Sequence, residues 1–225
     1  MPSKPEGHYL SRLNGDFIGK ASVFRMIREF ARYSNIPQGY YMEFGIMNGG
    51  TAISAYRQLR GYVTDIYGFD TFTGHPAQQE EDKIRAEFAP YFFEGNYKAE
   101  GVDYCRKTIR AETLIADENI HLYEGLFSDT LPTVDLSKLE SNGFPICVMV
   151  DCDLYSSAVD VFQFLTPILQ TGTWLLIDDF WCYRGDPKLG VRRAFEEWLQ
   201  DNGRINVTLY DNFNAYSRAY ICYEL

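Results

Sequence analysis

Four aspartates follow two apolar segments of the chain. Asp151 and Asp153 come at the end of the apolar run in VMVDCDLY, and Asp178 and Asp179 come at the end of the run in WLLIDDF. Short apolar runs of this kind are typical of strands buried within a parallel sheet. Because the carboxyl ends of neighbouring parallel strands lie at one edge, where ligands bind, we expect the four acids to converge there.

Such a cluster of acids favours a metal ion. Close carboxylates repel one another and raise one another's pKa unless a cation neutralises them. The donors are all oxygens and no histidine is nearby in the sequence, which indicates a hard divalent ion, with Mg²⁺ ahead of Ca²⁺ and Mn²⁺. Asp153 and Asp179 have a structural alternative, since Asp readily caps the helix or loop that follows a strand.

A glycine-containing loop is the second candidate site. In EFGIMNGGT, Glu43 ends an apolar segment, and Gly45, Gly49 and Gly50 allow the chain to turn tightly and approach a ligand before a helix begins. The spacing is not GxGxxG, so it favours the looser acid-x-Gly-x-x-x-Gly-Gly pattern of methyl-donor sites over a nicotinamide or flavin site. A purely structural strand-to-helix turn is the alternative.

A further acid supports a nucleotide site. Asp70 ends the next strand, in IYGFDTF. In a doubly wound sheet this is where a carboxylate binds the ribose hydroxyl groups. The loop and Asp70 together therefore support a nucleotide site more strongly than either feature alone.

The segments that carry these residues alternate between strand and helix patterns. Five apolar segments predict parallel strands, and INVTLY with RAYICYEL predicts a terminal antiparallel hairpin. We expect one α/β domain over residues 1–225, with a mostly parallel seven-stranded sheet and helices on both faces. An N-terminal helix is predicted within residues 19–40 from apolar residues at helical spacing, which are Val23, Phe24, Ile27, Phe30 and Ala31.

One segment, residues 76–98, interrupts this alternation between the second strand and its following helix. It is charged at first and then aromatic, with Phe88, Tyr91, Phe92, Phe93 and Tyr97. An insertion at the carboxyl edge of such a sheet is a candidate lid. A satellite apolar cluster under a surface loop explains the same composition equally well.

Composition limits the classes of function. The chain is 46% apolar, and 31 acidic against 21 basic residues give a net charge of −10. This argues against a nucleic-acid or anionic membrane surface and favours a small-molecule partner. Five cysteines without a CxxC pair make a poor disulfide framework or zinc site. No stretch approaches the roughly 20 apolar residues of a membrane span and MPSKPEGHYL lacks a signal core, so we expect a cytoplasmic protein.

Two histidines need an interpretation. His75 follows DTFTG and is predicted either to face the substrate or to be exposed in a loop. His121 lies inside an apolar segment, where a hydrogen-bonded core residue is expected more often than a ligand.

The motifs, in this order, resemble those of class I S-adenosylmethionine-dependent methyltransferases with a Rossmann-like fold. EFGIMNGGT, GFDTFTGHP, YEGLFSDTLP, VDCDLYSSAVD and LLIDDF are most similar to the macrocin O-methyltransferase family, over about residues 20–200. The resemblance implies S-adenosylmethionine as methyl donor, Mg²⁺ or another hard divalent ion, and a hydroxyl group of a sugar or other small natural product as acceptor. Such domains often form homodimers.

The resemblance also implies a role for each motif residue. It assigns the metal to Asp151, Asp178 and Asp179, and the general base to Asp153. Related catechol methyltransferases have a lysine where this chain has Leu154, and its absence favours the aspartate base and a sugar-like or polyol acceptor. From the methionine portion to the adenine, the cofactor residues map onto Glu43, Gly45, Gly49, Gly50, Asp70, Thr71, Phe72, Phe127, Ser128 and Asp129.

Two other enzyme classes use paired acids, and they are the alternatives. A magnesium-dependent phosphatase of the haloacid dehalogenase type places its nucleophile on the first strand and needs a lysine between the acid pairs. Here DCD follows the fourth predicted strand, and no lysine lies between Asp153 and Asp178. A metal-dependent glycosyltransferase would leave the glycine loop unexplained. The intact acids argue against a third possibility, a non-catalytic protein of the same fold.

Overall fold

The computed structural model describes residues 16–225, so residues 1–15 of the expected domain lie outside the described part. A seven-stranded sheet is formed by β1 (Gly39–Phe44), β2 (Val63–Asp70), β3 (Ile120–Glu124), β4 (Phe144–Val150), β5 (Trp174–Ile177), β6 (Ile205–Asn212) and β7 (Arg218–Glu224). The strand order is β3-β2-β1-β4-β5-β7-β6. Strands β1 to β5 are parallel, whereas β7 is antiparallel to both β5 and β6. The predicted fold class is therefore confirmed.

Helices cover both faces of the sheet. They are α1 (Asp16–Tyr33), α2 (Gly50–Gln58), α3 (Glu80–Lys83), α4 (Val102–Thr113), α5 (Phe127–Thr130), α6 (Leu136–Ser141), α7 (Tyr155–Leu165) and α8 (Gly190–Asp201). The predicted N-terminal helix is α1, which ends before the NIPQG segment. None of the helices between residues 16 and 225 combines the length and apolarity that crossing a bilayer requires.

Alternation along the strands divides the core into two layers. In β1, Tyr40 and Met42 pack with α7 and α8 on one face, while Tyr41 packs with α1, α2 and α4 on the other. Strand β4 buries every residue, as expected of a central parallel strand covered on both faces. Because both faces of the central strands are buried, polar side chains can meet a ligand at the carboxyl ends of these strands.

The register of the central strands brings the strand ends together. Phe44 of β1 is paired with Val150 of β4, and Val150 with Ile177 of β5. The backbone amide of Asp151 donates to the Phe44 carbonyl at 2.9 Å, and that of Asp178 donates to the Val150 carbonyl at 2.8 Å. The last rungs of the sheet therefore position the acids that follow β4 and β5.

Gly45, directly after β1, is required by a close backbone approach. Its φ of +94° is in the left-handed region, and a Cβ built on it would lie 1.9 Å from the carbonyl oxygen of Asp151. Gly61 has nearly the same φ, +92°, but a Cβ there would meet nothing within 4 Å. The two glycines therefore separate the cost of the backbone conformation from the cost of the close approach.

Residues 76–98 form an apolar cluster outside the main core. Phe92 packs with Ala89, Leu154, Tyr183 and Leu189 and is 6% exposed, whereas the neighbouring Phe93 is 53% exposed. The structure thus shows the satellite cluster, and movement as a lid stays a prediction.

Buried Asp82 ties the same segment to the start of α7. Its carboxylate accepts hydrogen bonds from the backbone amide of Ser156 at 3.1 Å and from the Ser156 hydroxyl at 2.6 Å. The N-cap position of α7, Leu154, has no capping side chain of its own. Asp82 therefore supplies from the insertion a partner that α7 lacks locally.

Replacing Gly45 with alanine is expected to destabilise the fold much more than replacing Gly61. Gly61→Ala should cost about 1–2 kcal/mol, because only the left-handed backbone is penalised. Gly45→Ala should exceed about 4 kcal/mol, since β1 and β4 must also separate. Urea unfolding of both variants measures the difference, and equal losses would contradict the close approach.

Phe92→Ala is expected to lower the free energy of unfolding by about 3 kcal/mol, because it removes the central ring of the apolar cluster. The matched control is the adjacent exposed ring, and Phe93→Ala should change stability by no more than about 0.5 kcal/mol. Chemical denaturation of the two variants tests the packing. A Phe92 variant as stable as the Phe93 variant would show that the insertion is not packed as described.

Candidate active site

A cavity of about 400 Å³ opens at the carboxyl edge of the sheet, beside the ends of β1, β2, β4 and β5. It brings together most of the residues singled out in the sequence. Those that line it are Glu43, Gly45, Gly50, Asp70, Thr71, Phe127, Asp151, Asp153, Asp178 and Asp179. The glycine loop and the aspartates, separated by about a hundred residues of sequence, therefore form one site.

Four predicted cofactor residues do not line this cavity. Gly49 packs against α4, where an added Cβ would lie 2.7 Å from Ile109. The Phe72 side chain is buried in the core, and Ser128 and Asp129 are exposed. Their roles toward the cofactor stay predictions.

Glu43 of β1 and Asp70 of β2 present carboxyl groups to the cavity. Glu43 is 1% exposed, and its Oε2 has no hydrogen-bond partner among the described residues. Burial and the neighbouring charge of Asp151 raise the pKa of Glu43 well above its usual range. The Asp70 carboxylate accepts from the amides of Met47 at 2.8 Å and Phe72 at 2.7 Å, so its orientation is defined. Phe72 thus contributes through its backbone.

Three aspartates form the open part of the acid cluster. One carboxylate oxygen each from Asp151, Asp153 and Asp179 lies within 4.8 Å of the others. Asp153 and Asp179 have left-handed backbones, with φ of +63° and +54°. Asp153 does not cap α7, because Leu154 occupies the N-cap position. The capping alternative is therefore wrong for Asp153.

Both carboxylate oxygens of Asp178 have a polar partner. Its Oδ2 lies 2.7 Å from Nζ of Lys20, and its Oδ1 accepts a hydrogen bond from the Ser217 hydroxyl. Lys20 also donates to Oδ2 of Asp151 at 3.0 Å. No pattern in the sequence indicated Lys20, because it lies on α1, far from the acid motifs along the chain.

The pKa values of the acids follow their surroundings. Burial raises the pKa of Asp151 to about 8 and that of Asp153 to about 7. Burial and the charge of Asp153 raise the pKa of Asp179 well above its usual range. Burial also opposes ionisation of Asp178, but the charge and hydrogen bond of Lys20 outweigh it and lower the pKa of Asp178. The ionised pair at this edge is therefore Asp178 with Lys20.

His75 faces the cavity and is not an exposed loop residue. Its Nε2 lies 2.6 Å from Oδ2 of Asp153, and its side chain is 9% exposed. Phe92 and Tyr97 pack edge-on against the ring at 5.8 and 5.3 Å. Burial lowers the pKa of His75, which favours the neutral imidazole. His75 is thus a fixed neighbour of the predicted base.

His121 is a hydrogen-bonded residue away from the site. Its Nε2 lies 2.9 Å from Oδ1 of Asp65, and the ring stacks on Tyr67 at 4.4 Å. The expectation that His121 is a satisfied structural residue is confirmed.

The carboxyl groups around the cavity fit both the methyl-donor cofactor and the divalent ion that the sequence implied. The partnerless Glu43 Oε2 suits a cationic amino group, and Asp70 suits the hydroxyl groups of a ribose. The close triad of Asp151, Asp153 and Asp179 offers only carboxylate oxygens, which suit a hard divalent ion. A cation bound between them would offset the repulsion between buried carboxylates that lie this close together.

Comparison with known proteins finds O-methyltransferases. Residues 13–218 match the family model for macrocin O-methyltransferase (TylF). The demethyldecarbamoylnovobiocin O-methyltransferase of Streptomyces niveus is 28% identical over 150 residues, covering 65% of this chain and 54% of that protein. The chain therefore spans about half the length of this curated relative.

Solved structures share the fold. Calicheamicin methyltransferase CalS11 superposes with a TM-score of 0.68 at 21% identity, covering 89% of this chain and 77% of that one. The O-methyltransferase TomG from Streptomyces achromogenes, solved in complex with S-adenosylmethionine, gives a TM-score of 0.53 at 17% identity, covering 95% and 94%. With the family match extending over most of its length, the chain belongs to the macrocin O-methyltransferase family.

Proposed function

We propose that the chain transfers a methyl group from S-adenosylmethionine to a hydroxyl group of a sugar or another small natural product, with the help of a divalent ion. One observation carries the proposal. A single cavity holds Glu43 and Asp70 on one side and the triad of Asp151, Asp153 and Asp179 on the other. Family membership supports the same reaction.

On the donor side, the chain's own groups bind and orient the cofactor. Glu43 accepts hydrogen bonds from the methionine amino group, and Asp70, fixed by two backbone amides, accepts from the ribose hydroxyls. Gly45 leaves room where a side chain would collide with the Asp151 backbone. When bound, S-adenosylmethionine supplies a methyl group that its sulfonium has already made electrophilic. The protein's task is therefore to position the acceptor and remove its proton.

On the side of the cavity proposed for the acceptor, the aspartates would hold the divalent ion and take up the proton of the acceptor hydroxyl. Asp151 and Asp179 would hold the ion, and Asp178 would join them only after Lys20 releases it. A bound Mg²⁺ lowers the pKa of a hydroxyl group and orients it. Asp153 lies in the same triad, within reach of a hydroxyl that enters the cavity.

Asp153 is proposed as the general base. As the acceptor oxygen forms its bond to the methyl carbon, the bond from that carbon to sulfur breaks and leaves a neutral thioether. Asp153 takes the hydroxyl proton, so charge and atoms balance. His75 Nε2 lies 2.6 Å from Oδ2 of Asp153, and the neutral tautomer with its proton on Nε2 would donate to the carboxylate and fix its orientation.

The acceptor class is inferred from relatives and from the cavity wall. The Streptomyces niveus relative is named for demethyldecarbamoylnovobiocin, and a Streptomyces olivaceus relative, 26% identical over 146 residues, is named for a tetracenomycin that carries a rhamnosyl sugar. His75, directly before the insertion, and Pro76 and Tyr97 within it line the same cavity. Residues 76–98 are therefore proposed to cover the acceptor. A net charge of −10 favours such a small molecule over nucleic acid.

The phosphatase and glycosyltransferase alternatives are not favoured. The acid pair DCD follows β4, at the middle of the sheet, and the family match is to methyltransferases. Neither alternative accounts for Glu43 and Asp70 in the same cavity.

Labelled methyl transfer with the Asp153→Asn variant tests the proposal. The purified chain is assayed with labelled S-adenosylmethionine and Mg²⁺ against nucleotide sugars, glycosides and small phenols. Asp153→Asn is expected to reduce transfer to the best acceptor by about 10²–10⁴-fold, because the proton then has no base. Calorimetry should show cofactor binding unchanged within about twofold, since Asp153 is on the acceptor side.

Asp201→Asn, an exposed carboxylate on α8, is the matched control and should leave transfer unchanged. Chelation should abolish transfer by the unaltered chain. A chain that does not bind S-adenosylmethionine, but hydrolyses phosphate esters or transfers sugar from UDP-sugars, would overturn the proposal.

A further inference from the structure

Lys20 places a single ammonium group between two of the clustered acids. Its Nζ lies 3.0 Å from Oδ2 of Asp151 and 2.7 Å from Oδ2 of Asp178. The side chain of Lys20 is only 13% exposed, so solvent screens these contacts weakly. The helix α1 thus delivers a cation from outside the strand motifs to the carboxyl ends of β4 and β5.

The charge of Lys20 is unusual around this cavity. Six carboxylates line it beside Lys20, those of Glu43, Asp70, Asp151, Asp153, Asp178 and Asp179. Within the described residues that line the cavity, Lys20 is the only lysine or arginine. Removing its charge would therefore leave the acid cluster without a lysine or arginine from the described cavity lining.

Lys20 also divides the acids into two groups. Asp178 is engaged on both oxygens, by Lys20 and by Ser217. Asp151, Asp153 and Asp179 keep one oxygen each within 4.8 Å of the others. Asp151 belongs to both groups, because it also accepts from Lys20. Any cation held by the triad would therefore share Asp151 with the ammonium group.

We propose that Lys20 is a positioning residue that competes with the divalent ion for Asp151 and Asp178. In the chain alone, the ammonium contacts both carboxyl groups, Asp151 after β4 and Asp178 after β5. Binding of a divalent ion is opposed by the like charge of Lys20 and by the need to free Asp178. This inference rests on the proposed function, and it adds a residue of α1 to the ion site.

The competition predicts that metal affinity rises when the charge of Lys20 is removed. Calorimetric titration with MnCl2 alone, with neither cofactor nor acceptor, should show Mn²⁺ binding roughly tenfold tighter or more for Lys20→Met, the scale of a typical coupling between sites. Lys20→Gln is a second neutral variant with the same expectation. Lys20→Arg keeps the charge and should bind Mn²⁺ within about threefold of the unaltered chain.

Lys83→Met is the matched control, because Lys83 forms an exposed ion pair with Glu80 on α3, and its removal should not change Mn²⁺ affinity. Unchanged or weaker Mn²⁺ binding by both neutral variants would overturn the inference, as would an absence of Mn²⁺ binding by every form. Cofactor calorimetry on the unaltered chain separates the two proposals. S-adenosylmethionine binding beside unchanged or weaker Mn²⁺ affinity of the neutral variants rejects only the competition. Failure of every form to bind Mn²⁺ also rejects the divalent ion of the proposed function, and failure to bind S-adenosylmethionine rejects the methyl transfer itself.

Discussion

The structure depends on how it tolerates several carboxylates at one edge of a buried parallel sheet. Strand pairing places Asp151 beside Asp178, and the turns after β4 and β5 direct Asp153 and Asp179 toward the same space. The Coulomb energy of such a group is large in a poorly solvated cavity. Protonation relieves part of it, Lys20 relieves another part, and a divalent ion would relieve the rest. We therefore propose that this edge of the sheet favours a hard cation.

The insertion connects this acid cluster to the acceptor side of the cavity. His75, directly before the insertion, contacts Asp153, and Asp82 within the insertion binds the first turn of α7. The apolar cluster around Phe92 holds the segment against Leu154, directly after the acid motif. An acceptor bound beneath residues 76–98 would therefore contact the segment that packs against Leu154, next to the proposed base Asp153. Acceptor binding and proton removal are coupled through these few contacts in our account.

The strands and most of the cavity residues could be predicted from the sequence, because local patterns of apolar and acidic residues indicate them. Apolar runs specified all seven strands, and acids directly after such runs had to meet at one edge. The role of Lys20 could not be predicted, since it depends on how α1 packs against strands more than a hundred residues away. The pairing of His75 with Asp153 depends likewise on the path of a long insertion. Asp178 looked equivalent to Asp179 by position, yet Lys20 and Ser217 give it different partners.

We propose that one edge of the sheet holds a divalent ion beside the methyl-donor nucleotide. Crystals grown with S-adenosylhomocysteine and MnCl2, examined by anomalous diffraction at the manganese edge, test it most directly. We expect one manganese peak within coordinating distance of Asp151 and Asp179, with the nucleotide between Glu43 and Asp70. A nucleotide bound there without manganese at the acids, or manganese bound only elsewhere, would contradict the account.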